Sequence, residues 1–295
     1  MKIDPECIPC SLRRILATAS RISDDPWVHH KLLGNAMQEL ADVDRECTPA
    51  ELMTQLTGIV TKSLGASDPY QQERKEWWDE LESCRDKVVA NVQSSKDPLR
   101  QAVLLATGAN VFDDECLRGR SIRDSLRSFG IWGEIEGEQP DLDVDDVDLL
   151  RSELATAKTL LFVHDSGPEL LFDRILVEQI LAVAPNVEVT SVVRSQPFML
   201  DATHEDLERS ELLDVAGVVG ALDPGIPTLG IPLDECSREF RERFESADLI
   251  IGKGQASYET MSDNSVTRYF SFRVKCAVMA KVQGLKVGGL VFSKA

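Results

Sequence analysis

A strand, a polar turn and a helix at residues 160–173 constrain the fold more than any other part of the chain. Residues 160–163 are an apolar run of strand length, and residues 169–184 carry apolar side chains around most of a helical circumference, which is typical of a buried helix. The turn between them is Asp165-Ser166-Gly167-Pro168. Because open α/β sheets bind ligands beyond the carboxyl ends of parallel strands, this turn is a predicted binding site.

The chemistry of this turn indicates what it binds. The free N–H groups at a helix amino end attract an anion, whereas the carboxylate of Asp165 repels an anion unless a cation lies between them. We therefore expect a divalent metal ion that carries a phosphate group at this position.

The pattern along the remaining chain predicts an α/β protein with a helical amino-terminal part. Residues 1–105 show helical periodicity and little strand signal, with Thr48 as a helix N-cap before Pro49. Within this part, residues 71–92 are predicted to form one helix. Later, apolar or β-branched runs alternate with helical stretches, at residues 160–163, 187–193, 215–219, 249–251 and 287–292. We predict a helical subdomain in residues 1–105 and, in residues 106–295, a mostly parallel sheet covered by helices on both faces.

Charge and composition exclude several classes of partner. The 295 residues carry a net charge of −18, which argues against nucleic acid or an anionic membrane. No segment approaches the roughly 20 apolar residues that span a bilayer, and no leader pattern is present, so we expect a cytoplasmic protein.

Seven scattered cysteines predict reduced thiols rather than a disulfide framework. The acidic residues between 131 and 148 are interpreted as a solvated loop. The oligomeric state stays open.

Other strand ends carry polar residues as well. Asp201 follows a strand that ends at Arg194, and taken alone it is either a helix N-cap or a metal ligand. The run at 249–251 leads into Lys253 and Gly254, where backbone N–H groups and a lysine can approach a phosphate, although a plain turn fits equally well. Four histidines do not favour a histidine-rich zinc site, so carboxylates are the better candidate metal ligands.

A series of short motifs follows in order from residue 7 to residue 276. They are Cys7-Ile8-Pro9-Cys10, residues 48–51, Asp68-Pro69-Tyr70 with Lys75, and residues 110–113, 165–173, 200–203, 253–259 and 275–276. No single motif is specific, but the ordered set resembles the damage-control phosphatase family, also called DUF89 or the ARMT-like metal-binding domain, and most of all its compact microbial branch.

This resemblance implies that residues 106–295 form an α/β/α sandwich, the metal-binding catalytic core, on which the helical subdomain of residues 1–105 lies. It also implies that the protein is a metal-dependent phosphoric monoester hydrolase. Its substrates would be small phosphorylated metabolites such as sugar phosphates, including damaged or side-product metabolites, and its metal would be manganese, cobalt, nickel or magnesium. The implied metal ligands are Asp165, Ser166 and Asp201, and the implied catalytic residues are Asp165, Asp201 and Lys253. The implied contacts to substrate or phosphate are Asn110, Asp113, Glu169, Lys253, Gly254 and Lys275.

The chain departs from the family pattern at several motif positions. Ser166 replaces an asparagine and can still offer a neutral oxygen, whereas Leu200 replaces an asparagine and cannot be a ligand. One hypothesis is that His204, three residues after Asp201, partly fills that gap; the alternative is an incidental polar residue. His164 is expected to point away from Asp165 because side chains alternate along a strand.

Two further questions stay open at this level. Cys7 and Cys10 lie one helical turn apart and are either an inert or redox-sensitive thiol pair or half of a structural zinc site. For the function, the alternatives to a phosphatase are a catalytically silent descendant that binds a metal, a metabolite or a protein partner, and a transferase. A transferase on this fold would need a Gly-x-Gly-x-x-Gly turn after the first strand, which the sequence lacks.

Overall fold

The computed structural model describes residues 1–65, 68–111, 127, 140–262 and 268–295, and these residues form a mixed α/β fold. Its helices are α1 Cys7–Ile22, α2 Pro26–Ala41, α3 Pro49–Leu64, α4 Gln71–Glu82, α5 Arg85–Ser94, α6 Pro98–Gly108, α7 Val147–Leu154, α8 Leu170–Val183, α9 His204–Ser210, α10 Arg238–Ser246, α11 Gln255–Met261 and α12 Ala277–Gln283. Its strands are β1 Val144–Asp145, β2 Thr159–Val163, β3 Glu188–Val192, β4 Val218–Leu222, β5 Leu249–Lys253, β6 Arg268–Arg273 and β7 Leu290–Lys294.

The strands form one sheet in the order β1-β7-β6-β5-β2-β3-β4. The β6–β7 pair is antiparallel, and the other pairs are parallel. From β2 the chain builds the sheet outward through β3 and β4, and then returns to place β5 on the other side of β2. This change of direction opens a crevice at the carboxyl ends of β2 and β5, which is where open α/β sheets bind ligands. The prediction of an α/β fold with a mostly parallel sheet is confirmed.

Two hydrophobic cores cover the two faces of the sheet. Leu160 and Phe162 of β2 belong to the core shared with α6 and α8, while Leu161 and Val163 belong to the core shared with α10, α11 and α12. This is the alternation that a strand buried on both faces requires. The prediction that the helix after residue 169 is largely buried is also confirmed, since nine residues of α8 are buried.

The first three helices have a hydrophobic core of their own, which contains Ile15, Leu32 and Leu56. Thr48 caps α3 as expected, because its Oγ1 accepts the Glu51 N–H at 3.2 Å and the Glu51 carboxylate accepts the Thr48 N–H. The helix α6 spans residue 105, and its buried side chains belong to the same core as the sheet. The division of the chain into 1–105 and 106–295 therefore stays a prediction.

Some predicted elements differ from the observed ones. Residues 71–92 were expected to form one helix, but α4 and α5 are separate helices with Ser83 and Cys84 between them. The strand predicted at 215–219 is β4 at Val218–Leu222, because residues 212–214 form a helical turn before it. The sequence pattern also missed β6, whose charged ends, Arg268 and Arg273, conceal an aromatic strand.

Within the described part of the chain, no helix combines the length and the apolar character that crossing a membrane requires.

Candidate metal centre and active site

The segments that follow β2 and β3 are joined directly to each other. Ser166 and Asp201 form an antiparallel bridge. On either side of it, the Gly167 N–H donates to the Leu200 carbonyl at 3.0 Å, and the Ala202 N–H donates to the Asp165 carbonyl at 2.7 Å. The two aspartates that the sequence places 36 residues apart are therefore held by one piece of backbone pairing.

A cavity of about 370 Å³ opens at this point, between the amino-terminal helices and the carboxyl edge of the sheet. Asp165, Ser166, Asp201 and Lys275 line it on the side of the sheet. Residues of α1 and of the start of α3 line the opposite side. The volume lies in the range of small-molecule sites in proteins.

Asp165 is fixed by three neighbours. Asn110, just after α6, donates from Nδ2 to Oδ2 of Asp165 at 2.7 Å, and Nζ of Lys275 lies 3.9 Å from the same oxygen. Gly254 has φ +81°, and a Cβ placed there would lie 2.1 Å from Cγ of Asp165. A glycine is therefore required after β5, since any side chain would displace the carboxylate.

Asp201 is almost fully buried and faces a buried arginine. Nε of Arg194 lies 3.2 Å from Oδ2 of Asp201, and Nη2 of Arg194 donates to the Gly230 carbonyl at 2.6 Å. Burial raises the pKa of Asp201 to about 7; Arg194 opposes this rise, and the nearby carboxylate of Asp165 adds to it. The sequence pattern used Arg194 only as a strand end and missed this contact.

Beneath the cavity floor lies a fully buried ionic network. Oε1 of Glu169 accepts hydrogen bonds from Oγ of Ser166 at 2.6 Å and from Nδ2 of Asn110 at 2.9 Å. Nζ of Lys253 donates to Oε2 of Glu169 at 2.8 Å and to Oδ1 of Asp173 at 2.7 Å. Glu169, Asp173 and Lys253 are each 0% exposed. The network therefore orients Ser166 and Asn110 from below.

The charges in this network set the protonation of its members. Burial would raise the pKa of Asp173, but Lys253 and His164 lower it below the ordinary value. Burial raises the pKa of Glu169, and Lys253 opposes that rise. The pKa of Lys253 is raised in spite of burial, because two carboxylates face its ammonium group. A signal in the sequence was available for Asp173, since it lies four residues after Glu169 and a helix places such residues on one face.

His164 points away from the cavity, as the alternation along the strand predicts. Its Nδ1 lies 2.8 Å from Oδ2 of Asp173, and its ring stacks on Phe162 at 4.7 Å between centroids. Its Nε2 is buried with no hydrogen-bond partner among the described residues. His204, the other histidine considered as a ligand, is exposed at the start of α9 and does not line the cavity.

The predicted site residues therefore lie at different depths. Four of them line the cavity: Asp165, Ser166, Asp201 and Lys275. Asn110, Glu169 and Lys253 are fully buried behind or below these, and Gly254 packs against Asp165. Asp113 lies outside the described residues. The roles of all these residues stay predictions.

The cysteine motif also reaches the cavity. Cys7, Cys10 and Cys276 line the cavity, and burial raises the pKa of Cys7 to about 11. A thiol with such a pKa is a poor nucleophile at neutral pH. In the parts of the chain that the structure describes, no three side chains of the His, Cys, Asp or Glu type are grouped to hold a metal ion by themselves.

The donor set at the mouth of the sheet suits a hard divalent cation. Asp165 and Asp201 supply carboxylate oxygens. Ser166 supplies a hydroxyl oxygen, and its O–H group donates a hydrogen bond to Glu169. Oxygen ligands of this kind fit magnesium or manganese, with further positions left to water or substrate. A cation there would also offset the repulsion between the two aspartates that contributes to the raised pKa of Asp201.

Comparisons with known proteins identify the family to which the chain is similar. A family model described as the damage-control phosphatase ARMT1-like domain matches residues 3–291. An uncharacterized protein of Methanocaldococcus jannaschii is 30% identical over 100% of this chain and 96% of its own length. A damage-control phosphatase of Archaeoglobus fulgidus is 29% identical over 99% of the chain and 98% of its own length.

Two more matches come from Pyrococcus horikoshii. A damage-control phosphatase of this organism is 30% identical over 99% of the chain and 97% of its own length. A crystal structure of a DUF89 family protein from the same organism matches with a TM-score of 0.81 and 28% identity, over 100% of this chain and 99% of that one.

Proposed function

Because the chain belongs to the damage-control phosphatase ARMT1-like domain family, we propose that it is a metal-dependent phosphatase that hydrolyses phosphate monoesters of small metabolites. The names of its relatives support a phosphatase role in general. The observation that carries the finer proposal is the cavity at the crossover of the sheet, where Asp165, Ser166 and Asp201 lie beside Lys275.

The chain's own residues have distinct roles in this proposal. Asp165, Ser166 and Asp201 would hold the metal ion, which is manganese, cobalt, nickel or magnesium. When bound, such an ion polarises the phosphoryl group and lowers the pKa of a water molecule. Lys275, whose Nζ is 3.9 Å from Oδ2 of Asp165, offsets the charge of the phosphoryl oxygens. Asp113 stays a candidate contact to the substrate.

The reaction itself needs one water molecule and no other reactant. The water oxygen forms a bond to phosphorus while the bond from phosphorus to the ester oxygen breaks. One proton of the water passes through a carboxylate at the cavity, Asp165 or Asp201, to the departing ester oxygen, and the other proton stays on the phosphate, so that the carboxylate is regenerated. The products are an alcohol and inorganic phosphate. Asn110 contributes by fixing Oδ2 of Asp165 through its 2.7 Å hydrogen bond.

Lys253 and Glu169 are predicted phosphate contacts, but they lie beneath the cavity floor. Lys253 and Glu169 are both 0% exposed and bond to each other. We assign them to the orientation of Ser166 and Asn110, and direct contact between Lys253 and phosphate stays the alternative. Gly254 contributes through its lack of a side chain beside Asp165.

The experiment is a phosphate-release assay on chelated protein with each of the four metals added back. The substrates are 4-nitrophenyl phosphate and a panel of metabolite phosphates. Asp165→Asn serves as the matched variant, because it removes one charge at constant size. Release that depends on metal and falls at least about 100-fold in Asp165→Asn supports the proposal. Absence of release from folded protein with every metal contradicts it.

One departure from the family motifs favours a second candidate function. Leu200 occupies the position of a family asparagine and removes a polar group next to Asp201. A catalytically silent descendant that binds a metal or a metabolite would tolerate this change. Titration of manganese, followed by its electron paramagnetic resonance signal, separates the two functions, since the silent descendant binds metal or ligand without releasing phosphate.

A further inference from the structure

One wall of the 370 Å³ cavity is hydrophobic. Met53 of α3, Met199 and Leu200 belong to one buried hydrophobic cluster, and Leu229 packs against that cluster. All four side chains line the cavity. We call these four residues the apolar wall. Its members come from three separate segments of the chain, so the fold rather than the local sequence assembles it.

Leu200 places the apolar wall directly beside the proposed metal ligands. It precedes Asp201 in the chain, and its carbonyl accepts the Gly167 N–H at 3.0 Å within the pairing that joins Ser166 to Asp201. The backbone of Leu200 is thus fixed by the same contacts that fix the metal side.

The apolar wall is also held in place from the helical side. Met199 has φ +51°, a left-handed conformation that is uncommon for a residue with a side chain. Nη1 of the buried Arg74 donates to the Met199 carbonyl at 3.0 Å and holds this conformation, and Thr57 Oγ1 lies 3.6 Å from the Met199 sulfur. The Met199 part of the apolar wall is therefore held in place before any ligand binds.

Two polar side chains that also line the cavity, Gln255 and Glu259, are bonded to each other. Nε2 of Gln255 donates to Oε1 of Glu259 at 2.8 Å, and Oε1 of Gln255 accepts the Lys275 N–H at 3.1 Å. A hydroxyl group pressed against the apolar wall would lose its hydrogen bonds to water and would find hydrocarbon in their place. A hydrocarbon face at the same position would gain from leaving water.

We infer that this site takes phosphate monoesters whose alcohol part presents an aromatic or aliphatic hydrocarbon face beside the ester oxygen, in preference to polyhydroxylated sugar phosphates. This inference rests on the proposed function and narrows its substrate class. Each hydroxyl left unpaired at the wall lowers kcat/KM by roughly tenfold, the size of effect seen when a buried polar group loses its partner.

The experiment compares hydrocarbon ligands with sugar ligands in three pairs, two of phosphate esters and one of phosphonates. Phosphate release from phenyl phosphate and hexyl phosphate is measured beside release from glucose 6-phosphate and ribose 5-phosphate, with the same metal. Binding of phenylphosphonate, which cannot release phosphate, is titrated by calorimetry against a sugar phosphonate of equal charge. The wild-type protein should prefer the hydrocarbon member of each pair by about 10-fold or more.

Two variants test the wall from its two sides, since Leu200→Asn and Met53→Gln each put an amide on it. Both should reduce the preference for the hydrocarbon ligands by about 10-fold. Met37→Gln is the matched control, because Met37 is 55% exposed on α2 and lies outside the cavity. This variant should leave the preference unchanged. Circular dichroism verifies that each variant is folded.

The outcomes separate the two proposals. Release that favours the sugar phosphates, with neither wall variant changing the ratio, overturns the inference and leaves the phosphatase intact. No release from any ester, together with tighter binding of phenylphosphonate that the wall variants weaken, overturns the phosphatase and supports the apolar wall as a ligand site. Equal binding of both phosphonates overturns the inference in either case.

Discussion

Replacement of Lys253 by methionine tests whether this lysine is an internal counter-ion or a contact to the substrate. Methionine keeps the length and the apolar stem of the side chain but removes the charge. The fully buried carboxylates of Glu169 and Asp173 then lose the ammonium group that lies 2.8 Å and 2.7 Å from them. We expect Lys253→Met to be strongly destabilised.

Two estimates of the loss in the free energy of unfolding of Lys253→Met agree. Removal of one partner from a buried ion pair costs about 3–5 kcal/mol. Alternatively, the variant can protonate Asp173, which the wild type keeps ionised, and at pH 7 forcing a proton onto an acid with a pKa near 4 costs about 4 kcal/mol. The second estimate also gives a pH dependence. The folded variant then binds one more proton than its unfolded chain, so its deficit shrinks by about 1.4 kcal/mol for each pH unit below 7.

The assay is guanidinium denaturation followed by tryptophan fluorescence and circular dichroism, at pH 7 and pH 5. The free energy of unfolding of Lys253→Met should fall by about 3–5 kcal/mol at pH 7 and by about 1–2 kcal/mol at pH 5. Adding Asp173→Asn should recover part of the loss, because only one buried carboxylate then remains. Lys275→Met is the control, since this residue lies at the cavity, and it should cost less than about 1 kcal/mol.

One result would refute this reasoning. Suppose that the free energy of unfolding of Lys253→Met at pH 7 lies within about 1 kcal/mol of the wild-type value while phosphate release is lost. The ammonium group would then stabilise the bound substrate and not the fold. The lysine would then have to leave its pair when substrate binds.

Three further predictions concern other parts of the structure. Glu259 is buried, and burial raises its pKa to about 7 while Gln255 and Arg14 oppose the rise, so the folded state loses stability from this group as the pH rises from about 4.5 to 7. Glu259→Gln should therefore gain about 2 kcal/mol relative to the wild type between pH 5 and pH 7 in denaturant titrations; parallel pH profiles would contradict this assignment. Gly254→Ala should weaken manganese binding at least about tenfold in paramagnetic resonance titrations, because its Cβ would displace the Asp165 carboxylate, and unchanged affinity would remove Asp165 from the ligand set. Thr48→Ala should lower the free energy of unfolding by about 1 kcal/mol through loss of the α3 cap, whereas Thr48→Ser should restore it.

The elements nearest the site were predictable because their signals are local. The apolar run before Asp165 and the helix after it determine β2 and α8, since each pattern depends on side chains within a few residues. Asp165, Asp201 and Gly254 could each be placed at a strand end for the same reason. The mostly parallel sheet followed from the alternation of strands and helices.

Other parts of the fold and of the site could not be predicted from the local sequence pattern. The charged ends of β6 concealed a strand whose Arg268 is buried and bonded to the Met261 carbonyl, a contact that only the folded chain supplies. Arg194 beside Asp201 was missed for a related reason, since a strand-end arginine in the sequence is compatible with solvent, with substrate or with a carboxylate.

The sequence by itself therefore determined the fold class and the strand ends that carry the polar residues. Tertiary structure alone decided how deep each of these residues lies. Lys253 and Lys275 look alike as basic residues near phosphate motifs, but one is 0% exposed between two carboxylates and the other lines the cavity. Burial depends on segments that are distant in the chain, such as the partners Glu169 and Asp173, which are 84 and 80 residues from Lys253. Local periodicity cannot report contacts across such distances, because they form only when the sheet and its helices pack together.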